Sequence, residues 1–161
     1  MIAGGVAESA FSWGTCVRDF AQGRAQALKD LPLTVKKSVQ TVKGRREKII
    51  RYHLTNASSR RLKFLFAAQT VLDLKDAHVN RMGEADGVRR FAVVDPIRRL
   101  QVSWALSRAA RLWYFPLESG QGMRRTYQGV SLSYLWPLTL APRGSWEVTF
   151  QMKMGPPNGQ S

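Results

Sequence analysis

The chain has 161 residues, 44% of them hydrophobic and 22% charged, which is one domain's length and enough to bury a core without staples. That balance excludes general disorder. A single cysteine, Cys16, excludes an internal disulfide framework or a cysteine zinc site, and no run approaches the roughly 18 apolar residues of a membrane span. The net charge is +14, arginine outnumbers lysine 17 to 8, and Arg-Arg pairs occur at 45–46, 60–61, 89–90, 98–99 and 124–125. Such a balance favours polyanions or an acidic partner surface, although the basic residues are dispersed as they would be on solvated loops and strand edges.

Residues 1–30 form an N-terminal segment of little pattern. MIAGGVAESAFSW lacks a basic start and meets Glu8 early, unlike a signal peptide, so a cytoplasmic protein is expected. Phe20, Arg24 and Leu28 recur at a spacing of four, which allows one short helix over Val17 to Asp30, weakened by Gly23. From 31 to 154 the period is two. Ile50, Tyr52 and Leu54 share one face with Arg51 and His53 opposite, and Leu62 to Leu74 repeats the pattern. So do Leu100 to Leu106, Val130 to Leu140 and Trp146 to Met152. Side chains two apart share a strand face, so each segment is half buried. Several such strands between turn signals predict an all-β, antiparallel β-sandwich.

The turn signals are Lys43-Gly44-Arg45-Arg46, Asn56 to Ser59, the polar stretch Met82 to Gly87 read as a loop, Asp95-Pro96, and Pro142-Arg143-Gly144. Pro137 inside a strand pattern predicts an edge or a bulge. Residues 155–161, GPPNGQS, are expected to form a disordered tail.

Catalysis needs a constellation, and none is legible. His53 and His78 are the two histidines. There is no HExxH, CxxC, GxSxG, P-loop or GxGxxG, so no catalytic residue, metal or cofactor is assigned. Glycoside chemistry needs two carboxylates flanking one bond. Asp95 and Glu118 adjoin aromatic strand ends, but nothing pairs them. Asp95 reads first as a turn cap, and Glu118 as an ion-pair partner of Arg124 or Arg125. Trp104, Tyr134, Trp136 and Trp146 fall on apolar strand faces and read as core. Trp113 and Tyr114 are consecutive, so one must face outward. Tyr127, next to Gln128-Gly129 and after a loop, is expected to be exposed. Such aromatics with a few fixed polar groups suit a sugar.

Four linked motifs carry a resemblance: Asp95 with Leu100-Gln101-Val102, then Trp113-Tyr114-Phe115-Pro116-Leu117-Glu118, Tyr127-Gln128-Gly129, and Trp136-Pro137-Leu138 leading to Trp146-Glu147-Val148. In order and spacing the stretch from Asp95 to Phe150 resembles the C-terminal β-sandwich domain of the glycoside hydrolase family 57 enzymes, the α-amylase and 4-α-glucanotransferase group. Weaker likeness extends it over residues 18 to 153. The chain departs from the family's pattern at Gln69 and Lys36, where acidic residues are usual, and in a shorter loop after Glu118. The resemblance implies a galactose-mutarotase-like supersandwich. The catalytic barrel that precedes this domain in the family has no counterpart among these residues.

The expected function is therefore a non-catalytic accessory domain that binds α-glucan or oligosaccharide, or docks on a separate glycoside hydrolase barrel. Trp113 and Tyr127 would stack on pyranose faces, and Glu118, Gln128 and Arg124 would hydrogen-bond hydroxyl groups. The alternative is a basic module for a polyanion such as nucleic acid. A mutarotase-type enzyme using a histidine and Glu118 as acid and base ranks third.

Overall fold

A computed structural model of the chain describes residues 6–14, 30–42, 44–74, 81–119 and 126–157. The elements are β1 (Val6–Gly14), β2 (Asp30–Thr41), β3 (Glu47–Asn56), β4 (Leu62–Leu72), β5 (Gly83–Asp95), β6 (Leu100–Ser119), β7 (Thr126–Leu140) and β8 (Ser145–Gly155). The strand β1, pairing β2 from Val6↔Gln40 to Gly14↔Asp30, lies in the segment that showed no pattern. The helix considered over Val17 to Asp30 falls outside the described residues, apart from Asp30, which opens β2. Of the expected tail, Gly155 closes β8 and residues 158–161 fall outside the described residues.

All pairings are antiparallel, in the order β1-β2-β3-β8-β6-β7-β4 with β5 added to β6. The architecture turns on β6, a single strand of 20 residues that runs on well past the predicted Leu100 to Leu106 segment. One edge of β6 pairs β8 through Gln101 to Leu106 and then β7 through Arg111 to Ser119; β5 runs along the other edge. Between those stretches Ser107, Arg108 and Ala109 are exposed, and there β7 and β8 part. The sheet thus curls into two layers, β1-β2-β3-β8 and β7-β4, sharing β6. This is the antiparallel sandwich that the alternation predicts.

The core fills the gap between the layers. Tyr134 and Trp136 of β7 and Phe66 of β4 meet Tyr52 of β3 and Trp146 and Phe150 of β8, with ring centroids 5.2–5.8 Å apart and mostly edge-on. Edge-to-face pairs of this kind stabilise by about 0.5–1.5 kcal/mol beyond their burial. Trp104, Tyr134 and Trp136 are buried and Trp146 is half-buried, as their strand faces predict. The indole N–H of Trp136 donates to the Ala109 carbonyl at 2.8 Å, tying β7 to the corner of β6.

Met82 to Gly87 is not a loop. Gly83 begins β5, and its polar residues find partners on β6: Glu84 with Trp113, Asp86 with Arg111. The turn chemistry instead serves a bulge, where Gly87 has φ 68° and the register with β6 shifts between Ala85 and Val88. Pro137 sits beyond the last β6–β7 pair, Arg111↔Leu135, so β7 has only β4 beside it there, the edge setting proline tolerates.

Candidate functional site

Trp113 is the exposed member of the Trp113-Tyr114 pair. It stands on the outer face of β6, and Tyr114 turns inward against Phe91 at 6.0 Å. The inward Tyr114 ring fills the space that a side chain at Gly83 would need. Cross-strand pairs share a face, so Trp113 lies in one row with Gln69, Ser133 and Glu84, and Leu65 with Pro137 lies two rows away. The indole N–H of Trp113 donates to Glu84 Oε2 at 3.1 Å, and Gln69 Nε2 donates to the buried Ser131 hydroxyl at 2.8 Å. Gln69, a departure from the family's pattern, is thus a neutral bridge between β4 and β7.

Beside Trp113 a surface cavity of about 370 Å³ is lined by Leu65, Arg111, Leu135 and Pro137. Arg111 donates to Asp86 at 2.6 Å, and that hydrogen bond holds its guanidinium further above its ordinary pKa. Trp113 is 44% exposed, and Leu65 and Val71 of β4 are each 58% exposed on the same layer. The chemistry on offer is an aromatic face, an aliphatic floor and a fixed charge pair, with no general acid or base positioned against a nucleophile.

The other expected site residues do not converge on Trp113. Tyr127 packs against the core with its hydroxyl buried, on the inner side of β7, so it does not stack beside Trp113 and is not the exposed ring that the sequence suggested. Glu118 is exposed near the end of β6, opposite Tyr127 where the register shifts. Gln128 donates to the Ser119 hydroxyl at 2.8 Å across the same strand ends. Arg124, and with it the ion pair considered for Glu118, lies outside the described residues, as does His78. His53 stands on the outer face of β3, 3.6 Å from Glu147, in the other layer from Glu118. Among the described residues no group of three or more His, Cys, Asp or Glu is placed to hold a metal.

Asp95 is fully buried and caps its turn: Oδ1 accepts from the Arg98 N–H at 2.9 Å. Sequence reasoning missed Glu84 and Arg111. Glu84 sat in a stretch read as loop, and only the β5–β6 register brings it to Trp113.

These features have relatives. A family model described as "Alpha-amylase/4-alpha-glucanotransferase, C-terminal" matches residues 17–150. No curated protein matches the chain. Among solved structures, the 4-alpha-glucanotransferase from Thermococcus litoralis superposes with a TM-score of 0.68 at 22% identity, over 91% of this chain and 20% of that one. A putative aldose 1-epimerase from Escherichia coli K12 superposes with a TM-score of 0.61 at 10% identity, over 94% of this chain and 66% of that one. The Slr1438 protein from Synechocystis sp. PCC 6803 gives 0.55 at 11% identity, over 96% and 63%. At these identities the superpositions show a shared fold, and the chain spans about one fifth of the glucanotransferase. The family match covers most of the sequence, and the chain belongs to the C-terminal domain family of α-amylases and 4-α-glucanotransferases.

Proposed function

We propose that the chain serves as a non-catalytic accessory domain that holds an α-glucan chain for a linked or separately encoded glycoside hydrolase barrel. The observation that carries this reading is the Trp113 indole: exposed, fixed by Glu84 at 3.1 Å, and set at the lip of the Leu65–Arg111–Pro137 cavity. A pyranose ring presents an apolar face of C–H groups and a rim of hydroxyls. The indole would take the face, and Glu84, Arg111 and Asp86 would take the rim. Glu118 and Gln128, at the ends of β6 and β7, would meet the sugar units further along the chain. One ring platform and few polar contacts predict weak binding, on the order of millimolar. Calorimetric titration with maltoheptaose tests this. A saturable heat is expected, and its absence at millimolar ligand would remove direct binding and leave barrel docking, through exposed Leu65 and Val71, as the role of this face.

A further inference from the structure

The described cations on strand faces are divided unevenly between the layers. Lys36 of β2, Arg51 of β3, Lys153 of β8 and Arg90 of β5 are exposed and share the outer face of the β2-β3-β8-β6-β5 layer, by their cross-strand pairs. At its rim, where β7 and β8 part, Arg89 and Arg108 edge a cavity of about 660 Å³. Each is anchored on the backbone, Arg89 to the Ser107 carbonyl at 3.2 Å and Arg108 to the Glu147 carbonyl at 2.7 Å, and Arg108 also lies 5.6 Å over the Trp146 ring. The carboxylates that β3 and β8 contribute to this face are engaged, and Glu8 of β1 lies opposite Ser38 by register. Glu147 faces Arg51 at 3.4 Å and His53 at 3.6 Å, and Glu47 is buried and accepts from Gln151. The outer face of the opposite layer carries Lys63 and Arg111, and Asp86 neutralises the latter.

We propose that this basic face binds the phosphate backbone of duplex nucleic acid without reading its sequence. Cations stand on both sides of the face, Lys36 on β2, one strand in from the β1 edge, and Arg90 on β5. Four strand spacings and a four-residue offset along β8 separate them by about 23 Å, enough to meet both backbones across a groove of roughly 12 Å. Between them lie Ser38, Thr149, Gln151 and Ser103, hydroxyls and amides that hydrogen-bond phosphate oxygens and sugars. Among the described residues no Trp, Tyr or Phe ring stands outward on this face, and the His53 imidazole there is held 3.6 Å from Glu147. That disfavours single strands, whose bases need stacking platforms, and saccharides, which need the same. The exposed Trp113 lies on the other layer, so this surface is independent of the proposed glucan site.

The test is fluorescence anisotropy of the whole chain with a labelled mixed-sequence duplex of about 20 base pairs, the matching single strand, and heparin, between about 50 and 200 mM salt. Four phosphate contacts predict a log–log slope near −3.6 and roughly a 100-fold loss of affinity over that range. The double variant R90Q/K153Q is expected to bind the duplex roughly ten-fold more weakly and to lose about two units of slope, and K63Q on the other layer is expected to bind as the parent does. No duplex binding at the low salt, unchanged binding by R90Q/K153Q, an equal loss in K63Q, or a preference for the single strand or for heparin over the duplex would each overturn the proposal.

Discussion

Glu84 accepts the indole N–H of Trp113 at 3.1 Å across β5 and β6, and so sets the plane of an exposed ring that would otherwise swing on its two side-chain torsions. A ring held in one orientation loses less entropy when a ligand stacks on it. Trp113→Ala is therefore expected to weaken maltoheptaose binding by at least about ten-fold, and Glu84→Ala, which frees the indole, by about two- to three-fold. Both side chains are exposed, so the unfolding free energy should change by less than about 1 kcal/mol. Titration of the two variants against the parent chain checks this, and equal affinity in Trp113→Ala would move the saccharide elsewhere.

Asn56 is the polar hub of one end of the sandwich. Its side chain is fully buried, its Nδ2 donates to the carbonyls of Arg60 at 2.7 Å and Ala141 at 2.9 Å, and its Oδ1 accepts from the Ser58 N–H and hydroxyl. These bonds lock the β3–β4 turn to the β7–β8 hairpin, and Arg143 adds a bond from its guanidinium to the Ala57 carbonyl at 2.6 Å. Asn56→Ala removes the bonds that tie the two turns together and empties the space of a fully buried side chain, while the Arg60 and Ala141 carbonyls keep the Ser58 hydroxyl and the Gly144 N–H as donors. The expected loss is about 2–4 kcal/mol, or roughly 5–15 °C in Tm for a chain of this size, read by thermal unfolding.

Strand patterning was legible wherever one face is buried and the other is wet. Ile50-Tyr52-Leu54 and the Val130–Leu140 run show it, and their inward residues are the core. The bend of β6 was not legible, because Arg108 breaks the alternation at an inward position that opens to solvent only where β7 and β8 separate. Glu84 and Asp86 looked like loop residues because an outer strand face needs no hydrophobic signal, and their partners Trp113 and Arg111 lie more than twenty positions away. Tyr127 illustrates the converse. A residue beside a turn looked exposed, yet β7 begins at Thr126 and places it against the core.

Gly129, the glycine of the Tyr-Gln-Gly motif, has a steric reason to be there. Its φ is 154°, and a Cβ would run into the carbonyl oxygen of Leu72, where the end of β4 meets β7. Backbone on both sides of the clash cannot rotate away. Gly129→Ala should cost about 2–3 kcal/mol and loosen the β4–β7 pairing near Leu72↔Val130 first. Hydrogen exchange of the Val130 and Leu132 amides against those of Val148 and Phe150 would show this as protection lost locally at a substitution far from β8.

Tyr134 buries its hydroxyl in the core with no hydrogen-bond partner among the described residues, and burial pushes its phenol pKa well above the ordinary value near 10. The native state therefore keeps the proton after the unfolded chain has lost it. Full stability is present below pH 10. Above it stability falls, by about 1.4 kcal/mol per pH unit for this group, until the native phenol itself ionises. Tyr134→Phe removes that slope together with an unsatisfied polar atom. Urea unfolding at pH 7 should find the variant as stable as the parent or more so by about 0.5–1 kcal/mol, and near pH 11 the gap in its favour should widen by about 1 kcal/mol or more. A variant clearly less stable at pH 7 would show that the hydroxyl contributes to the native state, and a gap that stays constant from pH 7 to 11 would show that the phenol ionises with equal ease folded and unfolded.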